Sequence, residues 1–187
     1  PMIIIAGAGS GKTRVLTIRI AYLMSLGVDA FSILSLTFTN KAAGEMRERI
    51  DKIVGFGSES IWVSTFHSSC VRILRRHIDR IGFDTNFTIY DADDSKSLMK
   101  DICKRLEIDT KIYKEKSFLA AISSAKDELI TPTELMQRAL TSSDYAKRKQ
   151  AEVYREYQEA LHKNNALDFD DLIMKTVELL QSDPEVK

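Results

Sequence analysis

A glycine-rich stretch near the start of the chain, AGAGSGKT at residues 6–13, limits what the chain can fold into more than any other feature. It follows an apolar run at residues 2–5 and precedes a long helical pattern, which is the strand, turn and helix order of a phosphate-binding loop. Glycines let the backbone curl so that successive N–H groups point at one anion, and the N-terminus of the following helix adds the positive end of its dipole. The stretch therefore predicts an α/β fold with a site for the phosphates of a nucleoside triphosphate.

Two side chains of this loop have distinct expected roles. The ammonium of Lys12 would lie between the β and γ phosphates, and the hydroxyl of Thr13 would bind Mg²⁺, so both would take part in catalysis. The residues predicted to surround the phosphates are Ala6, Gly7, Ala8, Gly9, Ser10, Gly11, Lys12 and Thr13. Ala6 stands where the strict motif has Gly, but a small residue suffices where the loop begins. The alternative interpretation is a glycine-rich turn that binds nothing.

The composition is that of an ordinary globular protein. Of the 187 residues, 44% are hydrophobic and 29% are charged, and no apolar run reaches the roughly 20 residues that a bilayer span requires. Cys70 and Cys103 lie far apart without metal-ligand spacing, which indicates free thiols and favours a cytoplasmic protein. The net charge is zero, but residues 1–90 carry 11 Lys and Arg against 7 Asp and Glu, whereas residues 91–187 carry 16 against 20. A basic first half is compatible with nucleic-acid binding, although a solvated charged surface gives the same count.

Strand and helix patterns alternate through residues 1–90. Besides the apolar run before the loop, strands are predicted at residues 31–38, 61–64 and 87–90, with helices between them. Such alternation with short connections is typical of a parallel sheet covered by helices, in which ligands bind at the carboxyl ends of the strands. The sequence therefore predicts four strands in one parallel sheet.

Strand patterns disappear after residue 90, and apolar residues then recur at helical spacing. Helices are predicted at about residues 91–106, 116–129, 132–140, 145–163 and 168–180. A Walker B motif is an apolar strand running into Asp-Glu, and residues 163–166 do not read as a strand before the aspartates at 168, 170 and 171. These aspartates are therefore interpreted as the start of a helix, where carboxylates are favoured by the helix dipole.

Further motifs lie at the ends of the predicted strands and at the last helix. TFTNKAA occupies residues 37–43, TFHS occupies residues 65–68, and LDFDDL occupies residues 167–172. Together with AGAGSGKTR at residues 6–14, they resemble the motifs of UvrD/PcrA-type superfamily-1 DNA helicases, and the PcrA-like members of Gram-positive bacteria look most similar. The resemblance covers almost the entire chain.

The resemblance implies an ATP-dependent helicase that moves 3′ to 5′ along single-stranded DNA and acts at junctions of single and double strands, with ATP and Mg²⁺ as cofactors. It implies a partial RecA-like parallel sheet with the phosphate-binding loop at residues 1–90, and an inserted all-α subdomain at residues 91–187. The family's Asp-Glu pair, its adenine-reading glutamine and its second RecA-like domain are expected outside this chain. The chain is therefore expected to be an amino-terminal part of a helicase that is inactive alone.

Individual residues receive roles from the same resemblance. Arg14 is implied to lie near the base of ATP, and Phe38 to stack on a base of single-stranded DNA. The residues implied to contact the DNA backbone are Thr39, Asn40, Lys41, Thr65, His67 and, in the helical subdomain, Lys126. Judged by chemistry alone, Phe38 also suits a core position, the polar residues at the strand ends also suit helix caps, and His67 also suits a buried hydrogen-bonded site.

Two other functions are compatible with parts of the pattern. A small-molecule kinase shares the phosphate-binding loop but leaves the TFTNKAA motif unexplained. A module that binds DNA or a partner without catalysis is the second alternative.

Overall fold

The structure, a computed structural model, describes residues 3–5, 7, 9–141 and 144–186. The chain divides into two compact units, Pro1–Ser69 and Cys70–Lys187. This division lies earlier in the chain than the boundary near residue 90 that the loss of strand patterns predicts. The fold is mixed α/β and mostly helical, with short parallel strand pairs.

The first unit contains a parallel strand pair and its flanking helices. Its elements are α1 (Lys12–Ser25), β1 (Leu34–Thr37), α2 (Asn40–Val54), β2 (Trp62–Thr65) and the start of α3 (Phe66–His77). β1 and β2 run parallel, with Leu34 opposite Trp62 and Thr37 opposite Thr65. The buried core of this unit consists of Ile20, Ile33, Met46, Ile50 and Ile61. The helices and strands predicted for residues 12–65 are thus confirmed to within a few residues, apart from the later start of β1.

The predicted first strand is wrong for the part of it that the structure describes. Residues 3–5 belong to neither helix nor strand, and the side chains of Ile3 and Ile5 are 88% and 95% exposed. A strand is stabilised by the hydrogen bonds of a neighbouring strand, and no described segment pairs with these residues. An apolar sequence is therefore not enough to make a strand here.

The second unit is mostly helical and contains two short strands. After the end of α3 its elements are β3 (Thr88–Ile89), α4 (Ala92–Arg105), α5 (Glu115–Asp127), α6 (Pro132–Leu140), α7 (Tyr145–Lys163), β4 (Ala166–Leu167) and α8 (Phe169–Ser182). The five helices predicted after residue 90 are confirmed. β3 and β4 pair in parallel, with Thr88 opposite Ala166.

The pairing of β3 with β4 corrects two predictions. The segment at 87–90 was predicted to join a four-stranded sheet, but among the described residues it pairs only with β4. No strand was predicted at residues 163–166, but β4 begins at Ala166. Two residues are too few to show a strand period in the sequence. In the structure, Asn165 places β4 beside β3. Its backbone has φ 45, and its side chain hydrogen-bonds Asp84 and Asn86, which precede β3.

Side-chain caps explain where the helices of the second unit begin. In capping boxes at α4, α6 and α8, Asp91, Thr131 and Asp168 accept the backbone N–H three residues on, and the side chain of that residue accepts the cap residue's N–H. Such exchanges satisfy backbone donors that the first helical turn leaves unpaired. The prediction that the aspartates at 168–171 start a helix is therefore confirmed.

A buried core joins helices α4 to α7. It is built from Met99, Ile102, Phe118, Ile122, Val153, Tyr154, Tyr157 and neighbouring apolar residues. The hydroxyl of Tyr154 donates to the carbonyl oxygen of Ile130 at 3.1 Å, and the hydroxyl of Tyr157 donates to Asp168 at 3.1 Å. Burial raises the pKa of both tyrosines far above its ordinary value, so both are neutral donors. Among the described residues, no helix is long and apolar enough to cross a membrane.

Candidate functional site

The glycine-rich loop has the backbone conformation that its glycines permit. Gly9 and Gly11 have φ values of 75 and 85, in the left-handed region that side chains with a Cβ rarely adopt. Gly11 is the N-cap of α1 and supplies no side-chain hydrogen bond to the helix. The first turn of α1 contains no acidic residue, so the positive end of this helix is not neutralised from within. Ala6 and Ala8, also predicted here, lie outside the described residues.

The side chains of the loop converge on the carbonyl oxygen of Gly7. Lys12 Nζ donates to this oxygen at 3.0 Å, and Ser10 Oγ donates to it at 2.6 Å. Thr13 and Arg14, in the first turn of α1, are exposed. The loop therefore places an ammonium, a hydroxyl and a helix N-terminus within one short segment, which suits an anion. Among the residues that the structure describes, no cluster of His, Cys, Asp or Glu could hold a metal ion by itself.

The carboxyl ends of β1 and β2 meet at one edge of the first unit. Because Thr37 lies opposite Thr65 in the parallel register, the next residues of each strand, Phe38 and Phe66, become neighbours. Their ring centroids are 5.5 Å apart, with an angle of 40° between the ring planes. The structure thus brings the TFTNKAA and TFHS motifs together, with one aromatic ring of each motif in the pair.

Both rings of this pair are accessible to solvent. Phe38 is 89% exposed and Phe66 is 41% exposed. A large apolar side chain gains stability by burial, so the alternative that Phe38 belongs to the core is wrong. Phe66 was given no role by sequence analysis, although it follows the third predicted strand just as Phe38 follows the second, and that parallel would have identified it.

The polar residues after Phe38 form the start of α2. Thr39 is the N-cap, and its Oγ1 accepts the backbone N–H of Ala42 at 3.1 Å. Asn40 and Lys41 are exposed in the first turn, which carries no acidic residue. This helix start can accept an anion through its N–H groups and the Lys41 ammonium. The capping alternative is therefore confirmed for Thr39, whereas Asn40 is not the cap.

The polar residues after β2 are less accessible. Thr65 is buried, and its hydroxyl accepts the N–H of Ser68 at 3.2 Å and lies 2.8 Å from the Ser68 hydroxyl. These contacts are those of a helix cap, which was the alternative to a DNA contact for Thr65. His67 is half-buried in the first turn of α3. Of this pair, only His67 retains exposed surface for a ligand.

Lys126 differs from its predicted role at a DNA phosphate. Its side chain is fully buried, and Nζ lies 2.7 Å from Asp168 Oδ2 and 2.9 Å from Asp171 Oδ1. A contact with duplex DNA requires an ammonium at the surface, and this one is enclosed between two carboxylates. The prediction for Lys126 is corrected accordingly: in this structure it belongs to the interior of the second unit.

Arginines of α3 and the segment after it are also used within the second unit. Arg75 Nη1 donates to the carbonyl oxygen of Thr85 at 2.8 Å, and its guanidinium lies 3.7 Å from the centroid of the Phe87 ring. Arg80 pairs with Asp183 and Glu185, and hydrogen bonding to Arg80 lowers the pKa of Asp183. These contacts give Arg75 and Arg80 structural roles within the second unit.

Comparison with known proteins gives a consistent assignment. The family model for the UvrD/REP helicase N-terminal domain matches residues 1–187. The chain is 54% identical over its whole length to the ATP-dependent DNA helicase PcrA of Staphylococcus aureus (strain Mu50 / ATCC 700699). It is 52% identical over 99% of its length to the protein of the same name from Staphylococcus epidermidis (strain ATCC 35984). The chain spans 25% of the length of each of these relatives.

Proposed function

This chain belongs to the UvrD/REP helicase N-terminal domain family, and we propose that it is the ATP-binding and DNA-contacting part of an ATP-dependent DNA helicase. Its relatives are named ATP-dependent DNA helicases, and the chain corresponds to a quarter of their length. The remaining machinery of the motor, including a second RecA-like domain, belongs to the rest of the parent protein. Residues 1–90 supply a partial RecA-like domain, and helices α4 to α7 form an insertion.

The observation that carries the proposal is the edge at which two family motifs meet. The exposed rings of Phe38 and Phe66 lie 5.5 Å apart beside the N-terminus of α2. Aromatic rings stack on bases of any sequence, with roughly 1–3 kcal/mol per base, and a helix N-terminus accepts phosphate. A base on Phe38 with its phosphate near Asn40 and Lys41 is therefore the arrangement that this edge supports for single-stranded DNA. His67 contacts the same strand, and Thr65 contributes by fixing the start of α3.

The glycine-rich loop takes the triphosphate of ATP. The N–H groups between Gly7 and Thr13 surround the phosphates, and Lys12 leaves its bond to the Gly7 carbonyl oxygen to contact the β and γ phosphates. The Thr13 hydroxyl would hold Mg²⁺, which when bound would supply positive charge beside the phosphates. Arg14, one residue later in α1, lies on the side of the base. The left-handed φ values of Gly9 and Gly11 support this function because they allow the loop to curl.

The two strand pairs support a motor domain with an insertion. β1 with β2 and β3 with β4 are both parallel, as strands of a RecA-like sheet are. Helices α4 to α7 lie between β3 and β4 in the chain, which is how an inserted subdomain leaves and rejoins a sheet. Translocation from 3′ to 5′, and action at junctions of single and double strands, are the further properties that we propose for the parent protein.

The loop is tested by Lys12→Ala in the parent protein. The substitution removes a charge-assisted hydrogen bond worth about 1.5–3 kcal/mol, so we expect ATP affinity measured by calorimetry to fall roughly 10- to 150-fold. Lys96→Ala, at an exposed position of α4, is the matched control and should leave ATP affinity unchanged. Equal ATP affinity of the Lys12→Ala variant and the parent protein would exclude the loop as the ATP-binding site. Single-stranded DNA should also increase ATP turnover by the parent protein. No such stimulation is expected if the protein is a small-molecule kinase.

A further inference from the structure

An ion cluster lies inside the second unit, and the proposed function does not use it. We call Lys126, Tyr157, Gln158, Asp168 and Asp171 the Lys126 cluster. The ammonium contacts both carboxylates at 2.7 and 2.9 Å, Tyr157 donates to Asp168 Oδ2 at 3.1 Å, and Gln158 Nε2 donates to both oxygens of Asp171 at 3.0 Å. The side chains of Lys126 and Asp171 are both 0% exposed. Three helices therefore meet at one buried polar contact: α5 with Lys126, α7 with Tyr157 and Gln158, and α8 with the aspartates.

Stability alone is a poor explanation for such a cluster. Removing charges from water is costly, and replacing a whole buried ion pair by well-packed apolar residues often leaves stability equal or greater. Burial raises the pKa of Asp171, and the attraction of Lys126 acts in the opposite direction. What an ion cluster supplies and an apolar contact lacks is direction, since hydrogen bonds weaken steeply away from their preferred distance and angle. Its hydrogen bonds are not complete, because Gln158 Oε1 is buried without a partner among the described residues.

The topology indicates which arrangement is being fixed. The chain leaves β3 at Ile89, passes through α4 to α7, and returns to β4 at Ala166. Because Thr88 pairs with Ala166 and Ile89 with Leu167, the two attachments of this four-helix segment lie side by side. These two attachments alone do not fix the orientation of the segment about them, and the segment also contacts β4 and α8 through Ala166 in its core and through Tyr157 and Gln158 of α7. A further attachment at another place is needed to fix its orientation.

Lys126 supplies an attachment of this kind. It lies in the last turn of α5, 36 residues after Tyr90 and 40 residues before Ala166, and it reaches Asp168 and Asp171 at the start of α8. Asp168 is also the N-cap of α8 and follows β4 directly. The ammonium of Lys126 is therefore bound at the junction between β4 and α8.

We propose that Lys126 is a positioning residue that fixes the orientation of helices α4 to α7 relative to the β3–β4 pair and α8. Without its ammonium, the four-helix segment turns about its two strand attachments although its apolar core stays packed. The inference concerns the second unit alone and depends on neither ATP nor DNA.

The test measures a distance between spin labels in the parent protein. Labels attached through p-acetylphenylalanine at Lys100 in α4 and Gln181 in α8, both exposed, leave the native cysteines untouched. Pulsed electron paramagnetic resonance then gives the distribution of distances between α4 and α8. We expect this distribution to become at least twofold broader in Lys126→Met than in the otherwise unchanged labelled protein.

A triple variant separates positioning from charge balance. Lys126→Met alone leaves two buried carboxylates without a cation, which is a reason for unfolding. Lys126→Met with Asp168→Asn and Asp171→Asn removes all three charges, and asparagine retains the ability to cap α8. We expect the triple variant to melt within a few degrees of the parent protein but to keep the broadened distance distribution. Lys149→Met removes the partly buried ammonium bound to Glu152 in α7 and should leave the distribution narrow.

Two results would overturn the proposal. A triple variant that is folded and has the narrow distribution of the parent protein would show that the Lys126 cluster balances charge without positioning the helices. Equal broadening in Lys149→Met would show that the loss of any lysine in this unit loosens it. Failure of Lys12→Ala to weaken ATP binding would leave this inference untouched, because no step of it uses the loop.

Discussion

At the scale of single residues, the substitution Phe38→Ala tests the DNA-contacting role of Phe38. Its side chain is 89% exposed, so Phe38→Ala should lower the melting temperature little, whereas a buried Phe would cost about 3–5 kcal/mol on truncation. Loss of base stacking, worth roughly 1–3 kcal/mol, should weaken oligonucleotide binding by about 5- to 150-fold. Fluorescence anisotropy of the parent protein at one fixed salt concentration measures this change.

Phe56 provides the matched control for this prediction. It is 100% exposed in the segment that follows α2, and Phe56→Ala should change neither stability nor DNA affinity. A melting temperature that falls by many degrees in Phe38→Ala while DNA affinity stays constant would contradict the DNA-contacting role of Phe38.

At the scale of elements, α6 shows how local bonds set the start of a helix. Thr131 Oγ1 accepts the N–H of Glu134 at 3.2 Å, and the Glu134 carboxylate accepts the N–H of Thr131 at 2.7 Å. Thr131→Ala should destabilise the second unit by about 1 kcal/mol, as measured by urea unfolding. Thr133→Ala, at an exposed position of the same helix, should have a smaller effect. Equal effects of the two substitutions would contradict the capping role.

The same capping box has a predictable pH dependence. The backbone N–H of Thr131 is the main reason why the pKa of Glu134 is lowered, followed by the Thr131 hydroxyl. A carboxylate whose pKa is lower in the folded state contributes stability above its unfolded pKa and loses it as pH falls through the folded pKa. Glu134→Gln should therefore differ most from the parent chain at neutral pH, and the difference should shrink as the pH falls below about 4. A difference that grows on acidification would contradict this sign.

At the scale of the whole chain, we expect the 187-residue polypeptide to hydrolyse no ATP above background. Phosphoryl transfer needs carboxylates that hold Mg²⁺ and orient the attacking water, and Asp168 and Asp171 are bound to Lys126 and to the start of α8. The measurement is phosphate release by the purified, folded chain with and without single-stranded DNA. Turnover that Asp170→Asn or Asp171→Asn abolishes would show that this aspartate cluster is catalytic after all.

Features built from neighbouring residues were determined by the sequence itself. The positions of the helices, the cap at Asp168 and the glycine-rich turn all follow from patterns within a few residues, because hydrogen bonds in helices and turns join residues close in the chain. The sequence also indicated the edge where TFTNKAA and TFHS meet, since parallel strands bring their carboxyl ends together. For these features, tertiary structure added distances and exposure.

Only the tertiary structure decided which distant segments meet. Strand pairing is non-local, so nothing in the chain near Thr88 revealed that β3 pairs with residues 166–167. Lys126 looked like a surface lysine because its two aspartate partners lie about 40 residues away. Phe38 was predicted to stack on a base and had a core position as its alternative, and only the packing around the end of β1 showed that its ring is exposed. Each of these outcomes depends on how residues far apart in the chain pack together. The residue pattern within one short segment carries no information about such packing.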